Sequence, residues 1–310
     1  MGLSLIPEGT KIPFVKLRMV SFALFSIVFV WAGVLSMKNG LNWGIDFKGG
    51  FVLSVRTAEK ADIAGMRHEL SQLGLGDVTF KEAGSDRDVM IVVEKQAGGD
   101  KAQMEALAKI KEKLGGGVEY RSIDTVGPKA SEELLTNGLE ALLLSLIAML
   151  IYVAVRFQWR FGVCAIVALV HDAIAVWAFY VFTGLEFNMP AILAILVTVG
   201  YSINDTVVVF DRVRENLAKF SKMAIPELID LSINETLSRT TITAGTTIVS
   251  LVCLYVWGGE VISTYSLPIL VGIIVGTYSS IFMSGPLLTF FDIRYVEKEV
   301  EGFNPVNSNH

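Results

Sequence analysis

Residues 190–210 read PAILAILVTVGYSINDTVVVF, twenty-one residues among which Asp205 carries the single charge. A hydrocarbon core about 30 Å thick is crossed by roughly 20 apolar residues rising about 1.5 Å each in a helix, so this stretch predicts a membrane-spanning helix. Five more runs of the same kind lie around it: Leu17 to Met37, Gly138 to Val155, Phe161 to Thr183, Thr240 to Trp257 and Thr264 to Phe291. The last is long enough to tilt or break, and it contains Pro268 and Pro286. The 310 residues are 52% hydrophobic and 18% charged, a balance that needs a lipid-facing surface rather than an ordinary aqueous one.

The basic residues set the expected topology. Lys11 and Lys16 ahead of the first run and Arg18 at its start resemble the n-region of a signal peptide, but the apolar stretch is too long and ends without a small-x-small cleavage site, so it reads as a retained anchor. Arg156 and Arg160, then Arg212, Arg214, Lys219, Lys222 and Arg239, then Arg294 and Lys298 mark cytoplasmic connections, whereas the links at Gly184 to Met189 and Gly258 to Ser263 carry only Glu186 and Glu260. Both termini (1–16 and 292–310) are therefore expected inside. Spans two to six occupy 137–291 and include a cytoplasmic segment, 212–238, that reads either as an amphipathic pair of helical pieces lying at the interface or as a plain connection. The tail from Glu297 reads as disordered, and the sequon at Asn234 would face the wrong compartment for glycosylation.

Residues 38–136 have the composition of a soluble domain and are expected outside, in the periplasm. Strand patterns at Phe51 to Arg56, Val78 to Lys81, Val89 to Glu94 and Val118 to Ile123 alternate with helical spacing at Ala61 to Leu73 and Lys101 to Leu114. The order β-α-β-β-α-β predicts a ferredoxin-like unit with two helices on one face of a small sheet. The fold class is thus a six-span α-helical membrane protein with one small α+β domain after the first span.

An ionisable residue inside a span costs about 2.5–3.5 kcal/mol on insertion scales and calls for a partner or a function. Thr198, Tyr201, Ser202 and Asp205 fall at i, i+3, i+4 and i+7, a polar stripe on one face of the fourth span. Arg239, Thr243, Thr246 or Thr247, and Ser250 form a stripe on the fifth, and the two are expected to meet. Asp205 lies six residues from Asp211, about 9 Å of helix rise from the cytoplasmic edge through which Arg239 enters, so depth permits an ion pair. A coupling pair and a static structural pair both satisfy that pattern. His171 and Asp172, neighbours in the third span and about 100° apart on a helix, read either as a relay or as a packing pair. Asn204, Asp211 and Arg212 complete the polar candidates near Asp205. Gly272, Gly276, Ser280 and Ser284 recur every four residues, the small-xxx-small spacing that admits a close helix neighbour, in this chain or in another subunit.

Function classes narrow accordingly. A net charge of −5 without a basic patch gives no case for nucleic acid. Cys164 and Cys253 sit inside apolar runs without metal-type spacing, so neither a disulfide nor a zinc site is expected. No nucleophile-and-base arrangement, P-loop or metal motif is present, so neither an enzyme nor a bound cofactor is expected.

Four stretches together resemble the SecF family of the resistance-nodulation-division superfamily: Gly44-Ile45-Asp46-Phe47-Lys48-Gly49-Gly50, Val199 to Thr206, Phe210 to Asn216, and Leu237-Ser238-Arg239-Thr240. The resemblance implies a subunit of the bacterial protein-export machinery in the inner membrane. Its implied partners are SecD, the SecYEG channel, SecA, YajC and the translocating polypeptide. It also implies work driven by the proton-motive force, with sodium as the other candidate ion, and it places Asp205 and Arg239 at the family's ion-coupling positions. The Gly-rich segment around Asp46 would link the first span to the outer domain, its glycines adopting backbone shapes closed to other residues. The competing readings are a proton-coupled exporter of small molecules or lipids from the same superfamily, and a scaffold that transports nothing.

Overall fold

The computed structural model describes residues 7, 10–76, 78–83 and 85–294, and they divide into two compact units. One comprises residues 42–141 and 185–189; the other holds the rest of the chain. The tail from Glu297 and Lys298 lies outside the described residues.

In the smaller unit, a short helix α2 (Ile45–Lys48) precedes β1 (Gly50–Thr57), α3 (Ile63–Ser71), β2 (Val78–Ala83), β3 (Ser85–Glu94), α4 (Gly99–Leu114) and β4 (Val118–Val126). The chain enters α2 from α1 (Phe14–Asn39), which belongs to the other unit. The sheet is antiparallel throughout, in the order β2-β3-β1-β4, which the predicted βαββαβ sequence requires if each crossover helix is to cover the same face. Strand alternation sends Phe51, Leu53 and Val55 of β1 and Val89, Ile91 and Val93 of β3 to one side, where Leu70 of α3 and Ala106 and Ile110 of α4 close over them. On that sheet Arg56 grips Asp88 through two hydrogen bonds of 2.7 and 2.6 Å. The guanidinium, helped by the Ser85 hydroxyl, holds the Asp88 carboxyl well below the usual carboxylate range. Its stabilising contribution is therefore present above that range and lost as pH falls through it.

In the larger unit, α5 (Pro128–Arg156, beginning in the smaller unit), α6 (Trp159–Thr183), α7 (Met189–Lys219), α8 (Ile225–Trp257) and α9 (Gly259–Ser279) join α1. Among the described residues six helices are long and apolar enough to cross a membrane, the last running from Val261 to Phe290. Their burial sorts them into two classes. About half of the apolar window is buried in α6 (56%), α7 (50%) and the last span (50%), against 11%, 11% and 17% in α1, α5 and α8. The first three helices form the interior, and the others present Leu, Val, Phe and Trp outward, as lipid-facing helices do.

The last span breaks where its second proline demands it. A π-turn at Ser280–Ser284 follows α9 and is succeeded by α10 (Gly285–Leu287), which contains Pro286. Widening the turn relieves the clash of the proline ring with the preceding carbonyl and absorbs the missing N–H.

The segment 212–238 is not a separate surface pair. Residues 212–219 continue α7 and residues 225–238 open α8, so both spans run past the expected membrane edge as unbroken helices. Their apolar residues Val213, Leu217, Leu228, Ile229 and Ile233 are packed in a core with Phe157, Phe161 and Phe210 rather than laid on lipid. The basic connections meet one another at this end: Arg156 pairs with Asp211 at 2.7 Å, Arg160 reaches the Asp292 carbonyl, Arg294 reaches the Met223 carbonyl, and Asp230 caps α1 by accepting from the Val15 N–H at 2.8 Å. Asn234 is held by the backbone of Ile12.

Gly50 sits at φ +134°, and a Cβ there would lie 2.2 Å from the Val93 carbonyl oxygen. Gly50→Ala is therefore expected to cost on the order of 3 kcal/mol. Hydrogen exchange would show this as faster exchange by about two decades across β1 and β3, with α6 and α7 unchanged.

Candidate functional site

The interior of the helical unit is organised around the polar face of α7. Thr198 and Ser202 turn toward α9, where Gly272 and Gly276 leave room for them: a Cβ on Gly272 would sit 1.8 Å from the Thr198 hydroxyl oxygen, and one on Gly276 would sit 3.2 Å from the Ser202 Cβ. The small-residue stripe thus has a neighbour within this chain, and the α7 stripe meets glycine rather than the polar stripe of α8. On α8, Thr243, Thr246, Thr247 and Ser250 return their hydroxyls to their own helix, Thr243 donating to the Arg239 carbonyl at 3.1 Å and Ser250 to that of Thr246 at 3.0 Å. Backbone acceptance satisfies those hydroxyls without any partner helix. Ser280 does the same on the last span, donating to Thr277.

Asp205 lies on the inner face of α7 and is 3% exposed, and its Oδ2 has no hydrogen-bond partner. Nearby on the same helix, the hydroxyls of Thr198, Tyr201 and Thr206 are likewise buried and unpartnered. Arg239 is within electrostatic reach of Asp205, but among the described residues no ion pair joins them. Arg239 is exposed, as is Asn204 beside Asp205. Asp211 and Arg212 belong to the network at the helix ends: Asp211 to Arg156, and Arg212 to Glu235 and Glu215 at 2.7 Å each.

His171 and Asp172 are both buried, and the 100° between them is used. The His171 ring packs on Phe25 of α1 with centroids 4.2 Å apart, whereas Asp172 faces α9 and accepts from the Ser279 hydroxyl at 2.8 Å. Ser279 is a residue that the sequence reading passed over. It lies just beside the four-residue repeat, off its spacing, so the repeat gives it no periodic signal.

The Gly-rich segment has its own geometry within the smaller unit. Gly44 donates to the Phe187 carbonyl at 2.8 Å and Phe187 donates to the Asn42 carbonyl at 2.7 Å, so the link between α6 and α7 pairs with the chain ahead of β1. Around that pairing Trp43 packs edge to face with Phe47 and Phe187, which are tilted against each other, and Lys81 bonds to Glu186. Asp46 Oδ2 accepts from the N–H of Met189, the first residue of α7, at 2.9 Å and serves as a helix cap supplied from elsewhere in the sequence. Gly49 and Gly50 do adopt positive φ, but Gly44 has an ordinary φ of −75°. What Gly44 needs is space, since a Cβ would lie 2.9 Å from that of Asn188.

Two family models match this chain: the C-terminal region of the protein export membrane proteins SecD/SecF over residues 106–294, and the SecD/SecF GG motif over residues 34–61. The chain belongs to the SecF family of protein-export membrane proteins. The SecF protein translocase subunit of Rickettsia felis is 42% identical over 307 residues, covering 96% of this chain and 97% of the relative. That of Rickettsia prowazekii is 40% identical, covering 96% of each. The crystal structure of SecDF from Thermus thermophilus, described as a translocon-associated membrane protein, superposes with a TM-score of 0.81 at 33% identity over 94% of this chain. This chain spans 39% of that longer one. The protein is accordingly a multi-pass membrane component of Sec protein export.

Asp46→Ala should cost about 1 kcal/mol locally, seen as roughly fivefold faster amide exchange over residues 187–189, while Asp46→Asn, which keeps an acceptor oxygen, stays close to the parent.

Proposed function

We propose that this chain is the SecF half of a SecD–SecF motor that uses the proton-motive force across the bacterial inner membrane to promote late steps of polypeptide movement through SecYEG. Both termini lie in the cytoplasm and the ferredoxin-like domain in the periplasm. The observation that carries the reading is Asp205: a buried carboxylate on an interior helix with an unpartnered oxygen, close to an arginine that forms no ion pair with it. An exposed Asn204 and Arg239 beside that carboxylate are costly against lipid and are accounted for if a second membrane subunit covers them. SecD supplies that surface in the reading, with SecA, YajC and the exported chain as further partners of the assembled machine.

Protonation of Asp205 removes its charge and with it the attraction to Arg239, leaving α7 and α8 free to settle differently. One elementary charge crossing 100 mV is worth about 2.3 kcal/mol, enough to shift a two-state equilibrium more than tenfold. The proton is the ion a lone carboxylate handles most simply. A sodium ion would draw on the same carboxylate and its neighbouring hydroxyls. No residue is assigned a catalytic role, and no bound cofactor is invoked.

The experiment compares Asp205→Asn with the parent in proteoliposomes holding the whole complex, following export of a secreted reporter with and without an imposed proton gradient. The mutant should assemble and lose the gradient-dependent part, at least tenfold, while the gradient-independent part persists. Undiminished gradient stimulation would make Asp205 structural and favour the scaffold.

A further inference from the structure

A chain of buried polar side chains crosses the interior from α6 to α7. The Nδ1 of His171 lies 2.8 Å from Oδ1 of Asp172, and Oδ2 of Asp172 accepts from the Ser279 hydroxyl at 2.8 Å. The Ser279 and Ser202 hydroxyls are 3.4 Å apart. His171 is 5% exposed and the other three are 0% exposed, so the chain meets the surface only at the imidazole. Ser202 stands three residues before Asp205 on the inner face of α7. Side chains at that spacing have Cβ atoms about 5–6 Å apart.

Helix packing alone does not call for this set. Hydroxyl pairs suffice as glue between membrane helices. A buried carboxylate adds a desolvation cost that such glue does not need. The set instead joins two groups that hold a proton, His171 and Asp172, to two that pass one, Ser279 and Ser202. Ser279 has three acceptors within reach, Asp172 Oδ2, the carbonyl of Gly276 at 3.1 Å and the Ser202 hydroxyl at 3.4 Å. With a single hydroxyl proton it serves one of them at a time.

We infer that His171 and Asp172 form a second protonation site of the motor, exchanging a proton with Asp205 through Ser279 and Ser202. This rests on the reading of Asp205 as the ion-coupling carboxylate. In the transfer, Asp172 begins as the neutral acid with its proton on Oδ2, and Ser279 is turned from Gly276 toward Ser202. Asp172 gives its proton to the Ser279 oxygen as Ser279 releases its own to Ser202, and Ser202 releases its own to the Asp205 carboxylate. Each serine ends with one proton, Asp172 is a carboxylate and Asp205 is neutral, so one proton and one unit of charge have moved. His171, protonated through its exposed edge, then gives its Nδ1 proton to Oδ1 of Asp172 and is left neutral; rotation of the Asp172 carboxyl carries that proton to the Ser279 side, and rotation of the hydroxyls resets the chain. The last gap, from Ser202 to Asp205, is flanked along α7 by Tyr201 and Thr206, whose buried hydroxyls have no hydrogen-bond partner, and a bridging water needs polar partners of that kind. The neighbours that the structure records against the pair are Phe25 of α1, beside the imidazole, and Ser279 of α9, beside the carboxylate.

The test uses the assembled complex in proteoliposomes and reads gradient-stimulated export, with assembly checked in parallel. Asp172→Asn keeps the shape: its oxygen still accepts from Ser279 and its NH2 donates to an unprotonated Nδ1, but it cannot carry the proton. Ser279→Ala breaks the chain, and Ser279→Thr keeps the hydroxyl. The expected result is at least a fivefold loss of gradient stimulation in Asp172→Asn and Ser279→Ala, with Ser279→Thr within twofold of the parent. If Asp172→Asn stays within twofold of the parent while Asp205→Asn stalls, the pair is structural glue and the relay is wrong, although the motor reading stands. If Asp205→Asn itself keeps full stimulation, both fail. Should Asp172→Asn not assemble, the Ser279→Ala and Ser279→Thr pair decides: loss in both, or in neither, overturns the relay.

Discussion

Polar groups are expensive in hydrocarbon, and the cost of placing Asp172 and Asp205 there governs the arrangement of the helical unit. Each carboxylate must be walled off from lipid by protein. Three helices supply the wall, and their small residues let them approach closely enough to do so. Gly272 and Gly276 admit the Thr198 and Ser202 side chains of α7, and Ser279 reaches across to Asp172. The remaining spans α1, α5 and α8 meet lipid with apolar surface and need little burial of their own. Where the wall is incomplete, at Asn204 and Arg239, the exposed polar side chains mark the face on which a second membrane subunit is expected.

The spans themselves were legible because the bilayer imposes length and apolarity on every crossing, a constraint that a run of about 20 residues with at most one charge reveals. The outer domain was legible for a related reason: alternation in Phe51 to Arg56 and Val89 to Glu94 and helical spacing in Ala61 to Leu73 define its order, and the short connections leave few topologies. The contacts between spans were not legible in the same way. Periodicity shows that the Thr198, Ser202 and Asp205 face of α7 is polar, but it is silent about which helix that face meets. The polar stripe on α8 was the natural partner by chemistry. The structure gives α9 instead, because glycine accommodates a threonine hydroxyl sterically and α8 satisfies its own hydroxyls from its backbone carbonyls.

Segment 212–238 misled for a different reason. A polar stretch with amphipathic spacing looks alike whether it lies on a membrane or extends a spanning helix into a protein core, and only the packing of Val213, Leu228 and Ile233 against Phe157 and Phe210 separates the two. The link at residues 185–189 was too short to announce that it pairs with the Gly44 segment, and Asp46 could be read as part of a motif but not as the acceptor for Met189.

The central claim is that the Asp205 site is one half of an ion path whose other half lies on a partner. It is tested most directly by measuring proton flux with a pH-sensitive dye trapped in vesicles containing this chain alone, SecD alone, or both. The account predicts background flux for either subunit by itself and gradient-driven flux when they are combined. Sustained proton flux through vesicles holding this chain alone would contradict it.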